Sequence, residues 1–295
     1  MHPPHFKGQI QIASAATLFG LIGIFIKLTT QMPLGSIIFY RLLFGLVAIT
    51  LFFGCCGRLS ELRLVDKKLS VLLLGIFQAS TMLSYFISVK YTSVSIAVLL
   101  IYTAPVYVTL LSPIILKEYI SRSSLLALGI SIAGVIMVIQ PATLFGNVDT
   151  LYVMGLAAGL VSGLCYASII MTSRQLRDSY TGTTQATWAL FITMVLFLPY
   201  SIAVPGKVLL DNLYLLILFG LLPTAAALIL YLSALKHVRA QNASIIALLE
   251  PVSAVVFAFL ILSEPVTFTT IMGGGLILVG AMLVSRERGV ECVQK

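Results

Sequence analysis

The sequence predicts an all-α membrane protein in which ten transmembrane helices form two inverted five-helix repeats around a central cavity. The first observation is composition: 59% of the 295 residues are hydrophobic, only 9% are charged, and the mean hydropathy is +1.08. A soluble domain carries about 25% charged residues, so most of this surface is expected to face lipid. The second observation is a series of apolar runs of membrane-spanning length, and the third is an internal repeat.

Each predicted span is an apolar run of about 19 to 24 residues, and at about 1.5 Å per residue it covers a hydrocarbon core of about 30 Å. In chain order the spans are predicted at Gln9–Thr29, Leu34–Gly54, Leu69–Val89, Val94–Leu116, Arg122–Gln140, Thr150–Met171, Thr184–Val204, Asn212–Leu235, Ala240–Leu262 and Val266–Ser285.

The basic residues predict the orientation, because Lys and Arg favour cytoplasmic loops. With the N-terminus inside, the outer loops hold only Lys90 and Lys207 of the 18 basic residues, and Lys27 and Arg41 lie within spans. The inner segments hold Lys7, Arg58, Arg63, Lys67, Lys68, Lys117, Arg122, Arg174, Arg177, Lys236, Arg239, Arg286, Arg288 and Lys295. Both termini are therefore predicted to be cytoplasmic, in a plasma or inner membrane.

The second half of the chain repeats the first. A shift of 146 positions pairs Tyr85 with Tyr231, Lys90 with Lys236, Ala97 with Ala243, Pro105 with Pro251, Glu118 with Glu264, Gly129 with Gly275 and Gly134 with Gly280. The first two spans of each copy match more weakly at a shift of 147, where Arg41 falls on Trp188. An odd number of spans per copy inverts the second copy in the membrane. Residues 1–143 and 150–286 are predicted as the two repeats, and 287–295 as a cytoplasmic tail.

Two prolines mark the predicted functional site. Pro105 and Pro251 lie at the midpoints of the fourth and ninth spans, and each leaves a backbone carbonyl, at Ile101 and Ala247, without its helical partner. Such a carbonyl is costly in hydrocarbon unless it faces a polar cavity or another helix. Paired breaks at mid-membrane depth point to a substrate site, although a single proline also bends helices for packing alone.

Charges inside the membrane supply the next candidates. Arg41 and Glu250 lie near the middle of the second and ninth spans, where a charge requires a partner or a wet cavity. Three roles for Glu250 stay open at this point: binding a cationic group, carrying a coupling proton, or neutralising Arg41. Tyr85, Tyr102 and Trp188 are aromatic residues within spans that are candidates for lining a pocket or for simple packing.

Glu118 and Glu264 follow the two broken spans at equivalent ends. A carboxylate just before the next helix is expected to cap the free N–H groups of that helix, which favours a structural role.

Catalytic, metal and nucleic-acid sites are not expected. His2 and His5 lie in the N-terminal tail and His237 in an inner loop, and the cysteines have no metal-ligand spacing. The basic residues lie in short loops rather than in a continuous stripe, which excludes a nucleic-acid surface. There is no nucleotide-binding loop, so transport is expected to run on an ion or substrate gradient, and no cofactor is expected. The expected partners are lipid and a small-molecule substrate, with a proton as a candidate coupling ion.

These features resemble the EamA-type members of the drug/metabolite transporter superfamily. The family pattern is a proline in the fourth helix of each repeat, an acidic residue beyond it and glycines in the fifth helix. The matching residues are Pro105, Glu118, Gly129 and Gly134 in the first half and Pro251, Glu264, Gly275 and Gly280 in the second. The resemblance implies alternating access in a secondary transporter, in most members an exporter, for small organic metabolites such as amino acids or drug-like compounds.

Two rival classes are a membrane-embedded enzyme, which needs a catalytic cluster, and a non-transporting scaffold or sensor, which needs no polar cavity at the depth of Pro105 and Pro251. The sequence leaves substrate identity, direction, coupling ion and oligomeric state open.

Overall fold

The computed structural model describes residues 4–57, 59–92, 94–139, 150–202, 204–263 and 266–285. Within these ranges the chain is helical and contains no β-strand. The predicted linker near Pro141–Asp149, Glu264 and the predicted tail 287–295 lie outside the described residues.

The helices vary widely in length, because several predicted spans are interrupted. They are α1 (Pro4–Phe19), α2 (Ile22–Leu28), α3 (Leu34–Cys55), α4 (Lys68–Tyr91), α5 (Val94–Ile101), α6 (Ala104–Ile115), α7 (Arg122–Ile139), α8 (Thr150–Leu176), α9 (Gly182–Leu196), α10 (Gly206–Asp211), α11 (Leu213–Phe219), α12 (Ala227–Ala234), α13 (Ala240–Ala247), α14 (Leu249–Leu262) and α15 (Phe268–Ser285). Short 3-10 helices occupy Leu59–Leu62 and Leu198–Ile202, and a π-helical segment covers Gly220–Ala226.

Eight helical stretches of the described residues are long and apolar enough to cross a membrane. They are Phe6–Leu28, Leu34–Cys55, Lys68–Tyr91, Ile96–Ile115, Thr150–Leu176, Leu213–Ala234, Ala240–Leu262 and Phe268–Ser285. Large apolar side chains such as Ile114, Leu126 and Leu260 are exposed on their outer surfaces. In water such a surface would be costly, so the protein is a multi-pass membrane protein.

The two other predicted spans are shorter than expected. Helix α9 has 15 residues and is about 22 Å long, because it ends at Leu196 and a 3-10 turn follows instead of helix to Val204. The apolar part of α7, Arg122–Val138, also falls below spanning length. Among the residues that the structure describes, eight helical stretches reach full spanning length where the sequence predicted ten.

Long-range hydrogen bonds define the two ends of the bundle. At the end where α1 begins, which we call the proximal end, Gln9 Nε2 donates to the Ser285 carbonyl oxygen at 3.0 Å. At the opposite, distal end, the backbone N–H of Thr30 donates to Asn212 Oδ1 at 3.2 Å. Both contacts join one half of the chain to the other.

The breaks at the paired prolines occur where the sequence predicted them. The fourth span divides between α5 and α6, with Pro105 in the first turn of α6, and the ninth divides between α13 and α14 at Leu248. Proline fits the first turn of a helix because the missing N–H has no partner to lose there. At the first break the Leu100 carbonyl oxygen accepts hydrogen bonds from the N–H and Oγ1 of Thr103, at 3.1 and 2.6 Å. Gly163 leaves room for this turn, since an added Cβ would lie 2.8 Å from the Leu100 oxygen.

Two further interruptions were not predicted. The first span breaks between α1 and α2 at Gly20, where an added Cβ would lie 2.8 Å from the Ala254 nitrogen. The eighth span contains the π-helical segment, which includes Pro223 and in which Thr224 Oγ1 donates to the Phe219 carbonyl oxygen at 2.9 Å. Proline removes a helical donor, and the wider π turn accommodates the loss.

The fifth helices of the two halves, α7 and α15, pack against each other through glycines. A Cβ added to Gly134 would lie 2.6 Å from the Gly273 carbonyl oxygen, and one added to Gly280 would lie 2.9 Å from the Ala127 oxygen. Hydrophobic burial cannot drive helix association in lipid, so close backbone approach supplies the packing energy instead. Gly129, which belongs to the same sequence motif, faces open space.

The contrast between these glycines generates a stability prediction. Gly134→Val is expected to destabilise the protein by about 1–3 kcal/mol, because the new side chain cannot fit against α15. The apparent melting temperature in detergent should therefore fall by several degrees. Gly129→Val, the same change on the same helix, should leave it within about one degree, and an equal fall in both variants would refute the packing.

Candidate functional site

A cavity of about 230 Å³ lies in the interior between the halves of the chain. This volume corresponds to about eight molecules of liquid water. Its lining is mainly aromatic and aliphatic, with a few polar groups such as Gln78 and Thr224, and it contains both Arg41 and Glu250. An apolar cavity with a few convergent polar groups is typical of a small-molecule site.

Equivalent positions of the internal repeat line the cavity from both sides. At the shift of 146, the pairs of lining residues are Gln78 with Thr224, Met82 with Leu228 and Tyr85 with Tyr231; at 147, they are Phe19 with Tyr166 and Ile22 with Ile169. The cavity therefore lies where the two copies meet.

Arg41 presents a buried cation to the cavity. It extends from the middle of α3, and only 8% of the residue is exposed. The guanidinium carbon lies 5.0 Å from the centre of the Phe219 ring, and Nη2 lies 3.8 Å from the Met82 sulfur. Its Nε has no hydrogen-bond partner, and Arg41 forms no ion pair within the described ranges. Cation–π contact partly offsets the loss of water but leaves the charge uncompensated.

The π-helical segment holds α3 in this position. A Cβ on Gly220 would lie 2.6 Å from the Gly45 nitrogen and 2.8 Å from the Arg41 carbonyl oxygen, so only glycine permits the contact. The same segment places Pro223 and Thr224 in the cavity wall. Mid-helix π turns occur often at functional sites.

Glu250 supplies the opposite charge. It is half-buried in the first turn of α14, directly after the break at Leu248, where the positive end of the helix dipole stabilises a carboxylate. The Tyr102 hydroxyl lies beside the carboxyl group and can donate a hydrogen bond to it. Glu250 and Arg41 line one cavity without forming an ion pair, so direct neutralisation of Arg41 by Glu250 is not what the structure contains.

The structure therefore brings together Arg41, Tyr85, Tyr102 and Glu250 of the predicted site residues. Trp188 lies elsewhere: its indole N–H donates to the Leu62 carbonyl oxygen at 2.8 Å, near the proximal end.

The two prolines occupy different positions relative to the cavity. Pro105 borders a small void of about 10 Å³ that shares Tyr102 and Tyr166 with the main cavity. Pro251 is buried next to Glu250 and fixes the start of α14.

Several lining residues were missed by sequence reasoning. Gln78 and Thr224 are polar residues in apolar spans, and their pairing at the shift of 146 is a signal that was available. Phe219 carried no signal, because its contact with Arg41 depends on how α11 packs against α3.

A second buried arginine provides a contrast to Arg41. Arg174 in α8 is also 8% exposed, but its Nε lies 2.8 Å from Glu118 Oε1 and its Nη1 donates to the Leu235 carbonyl oxygen. Glu118 Oε2 accepts the Ala240 N–H at 3.0 Å. Glu118 was predicted to cap the next helix, and it instead caps α13 in the other half; Ser121 caps α7.

No group of three or more His, Cys, Asp or Glu side chains within the described ranges could hold a metal ion.

Comparisons with known proteins agree with this reading of the chain. The sequence model of the EamA-like transporter family matches residues 6–140 and 153–286. Similar proteins include two from Archaeoglobus fulgidus named uncharacterized transporters. One is 31% identical over 280 residues, covering 95% of this chain and 97% of that protein, and the other is 30% identical over 287 residues, covering 96% and 100%. An uncharacterized transporter of Clostridium kluyveri is 26% identical over 77% of this chain and 75% of that protein.

A solved crystal structure has a similar fold. Its TM-score is 0.80, and the match covers 95% of this chain and 98% of that one at 16% sequence identity.

Replacing the two buried arginines is predicted to change the stability of the protein in opposite directions. Arg41→Met should stabilise the ligand-free protein by about 1–2 kcal/mol, because removing a desolvated charge without an anionic partner outweighs the lost cation–π contact. Arg174→Met should destabilise it by about 3–5 kcal/mol, because Glu118 is left buried and unpaired. Apparent melting temperatures in detergent measure both, and a fall for Arg41→Met as large as that for Arg174→Met would contradict the analysis.

Proposed function

The chain belongs to the EamA-like transporter family, and from that premise we propose that it is a secondary-active transporter that exports small organic metabolites by alternating access. The observation that carries the proposal is the cavity between the two copies of the repeat, with Arg41 and Glu250 in its wall. Its relatives carry the name transporter, which supports transport rather than catalysis.

In this proposal the protein crosses the cell membrane ten times, as two inverted five-helix repeats. Helices α7 and α9, which are shorter than a full span, complete the ten spans by local thinning of the bilayer and by flanking residues that extend to the interface. The excess of Lys and Arg in the loops of the proximal end supports placing that end, with both termini, in the cytoplasm.

The charges in the cavity favour a substrate that is itself a small zwitterion. Arg41 suits a carboxylate and Glu250 suits an ammonium group, while the aromatic wall suits an apolar side chain. Binding sites for drug-sized ligands measure about 300–1,000 Å³, above the 230 Å³ of this cavity. Amino acids with apolar side chains therefore fit the proposal better than large drug-like compounds.

Alternating access in such a protein exposes the same cavity first to one side of the membrane and then to the other. Glu250 is the group that suits coupling to protons. A carboxylate that binds either a proton or the substrate's ammonium group, but not both, makes inward proton movement drive outward substrate movement.

Three compounds that share one aromatic body test the recognition: phenylalanine, 3-phenylpropanoate and phenethylamine. The unaltered protein is expected to be stabilised most by the zwitterion, measured as the ligand-induced rise in apparent melting temperature. Arg41→Gln should weaken binding of the zwitterion and the acid by about tenfold or more, because a charge-assisted hydrogen bond contributes about 1.5–3 kcal/mol. Binding of the amine should change little. Equal weakening for all three compounds would refute the assignment of Arg41.

Glu250→Gln tests the coupling in proteoliposomes with an imposed pH gradient. Gradient-driven accumulation of a transported amino acid should be abolished, because the amide cannot exchange a proton. Exchange of labelled for unlabelled substrate without a gradient should persist at high substrate concentration. Unchanged gradient-driven accumulation would rule out Glu250 as the proton carrier.

A further inference from the structure

Between the cavity and the proximal end, the interior is filled by polar contacts that join the two halves of the chain. Gln241 Nε2 donates to Ser112 Oγ at 2.7 Å, and Ser124 Oγ donates to Asn242 Oδ1 at 3.0 Å. The backbone there is tightly packed, and Ser112 and Gln241 are fully buried. Ser112, Ser124, Gln241 and Asn242 are all buried and none of them lines the cavity, so their contacts fill the interior between the cavity and the proximal end.

The Glu118–Arg174 ion pair is the strongest contact of this region. It joins three separate segments: the turn between α6 and α7, the end of α8, and both sides of the loop between α12 and α13. Moving any one of them away breaks the ion pair or a backbone hydrogen bond from a buried charge. The penalty for leaving such a charge without a partner makes the closed arrangement cooperative.

Positive charge accumulates around the pair. Burial, followed by the charges of Lys236, Lys7 and Arg174, lowers the pKa of His237 in the loop between α12 and α13. Glu118 is the anion that contacts Arg174, the cation of this group that is most deeply buried. Removing its charge is expected to push these segments apart.

An unfavourable backbone conformation in the preceding residue positions Glu118 for this contact. Lys117 adopts a left-handed conformation with φ of +55°, which side chains other than glycine rarely take. Ser263, its equivalent at the shift of 146, has the same φ of +55°. At the shift of 147, Arg174 corresponds to Lys27. The turn and the basic residue thus recur in both copies of the repeat, as expected for a device that each end of an alternating-access protein requires.

From these contacts we propose that the Glu118–Arg174 pair is a latch that keeps the proximal end of the cavity closed and opens when the cavity faces that side. The inference rests on the proposed alternating-access function and assigns a gating role to residues outside the cavity lining.

Thiol labelling tests the latch without any substrate. Ser244→Cys is the reporter, since Ser244 is buried beside the small void between the proximal polar contacts and the cavity. It is introduced with Cys55, Cys56, Cys165 and Cys292 replaced by alanine. In membrane vesicles that expose the cytoplasmic face, a membrane-impermeant maleimide should label this reporter about tenfold faster or more when Glu118→Gln or Arg174→Gln is added.

A second reporter, Ile26→Cys, lies in the cavity wall towards the distal end. Release of the latch moves molecules to the proximally open state, so labelling of Ile26→Cys from the opposite side should slow in the same variants. The matched control is Arg177→Gln, which removes an exposed partner of Asp178 at 3.3 Å on the same segment and should change neither rate.

Each outcome decides the proposal. Opposite changes at the two reporters support the latch. Faster labelling at both reporters means that the pair maintains the fold rather than closing one end, and it overturns the proposal, as do unchanged rates or an equal effect of Arg177→Gln. The transport assays could all fail while the two reporters still change in opposite directions. That result would refute the proposed substrate class and leave the latch supported.

Discussion

In hydrocarbon, a backbone carbonyl or a charged side chain needs either a polar partner or a wet surface, and this constraint organises the interior of the protein. The Leu100 carbonyl at the break before Pro105 accepts hydrogen bonds from the N–H and hydroxyl of Thr103. Glu118 and Arg174 meet each other and two backbone groups. Arg41 meets only an aromatic ring and a sulfur atom and is open to the cavity. The charges that form an ion pair lie at the proximal end, and the charges that do not pair lie in the cavity. The paired charges therefore have a structural role, and the unpaired ones are the candidates for ligand binding.

The internal repeat builds the cavity, and departures from the repeat give it its chemistry. Symmetry-related pairs such as Tyr85 and Tyr231 form much of the wall. The charges have no charged equivalents, because Arg41 corresponds to Trp188 and Glu250 to Ala104. In the proposed function, this asymmetry of charge would let the cavity bind one asymmetric molecule in a single orientation. The polarity of that molecule is then fixed by which copy carries which charge.

The sequence predicted the helical membrane fold, the repeat and the position of both proline breaks, because spanning length and proline chemistry are local properties. It also predicted that Arg41, Tyr85, Tyr102 and Glu250 line one site, and all four line the cavity. The reason is that a charge or a helix break at mid-membrane depth requires a polar partner or a wet cavity. Trp188 was grouped with them through its equivalence to Arg41, but the two equivalent residues lie at different depths, and Trp188 faces Leu62. The partner of Glu118 was also mispredicted, because α13 reaches it only through tertiary packing. The shortness of α9 and the π-helical segment depend on local turn geometry that hydropathy does not report.

The free-energy cost of leaving Arg41 and Glu250 without partners in an empty cavity links ligand binding to conformational change. Without a ligand, Arg41 and Glu250 are partly desolvated and do not pair, so the protein is least stable where the cavity is most enclosed. In the proposed function a zwitterionic substrate would supply an anionic partner to Arg41 and a cationic partner to Glu250, and its binding energy would be largest when the wall closes around it. A ligand shifts the equilibrium between the open and enclosed states only by the difference between its affinities for them. This difference is greatest when Arg41 and Glu250 have no partners within the protein in the enclosed state. Under this scheme the empty carrier crosses between its two open states only if a proton replaces the ammonium group at Glu250, which makes the uncompensated charges of the cavity the origin of coupling.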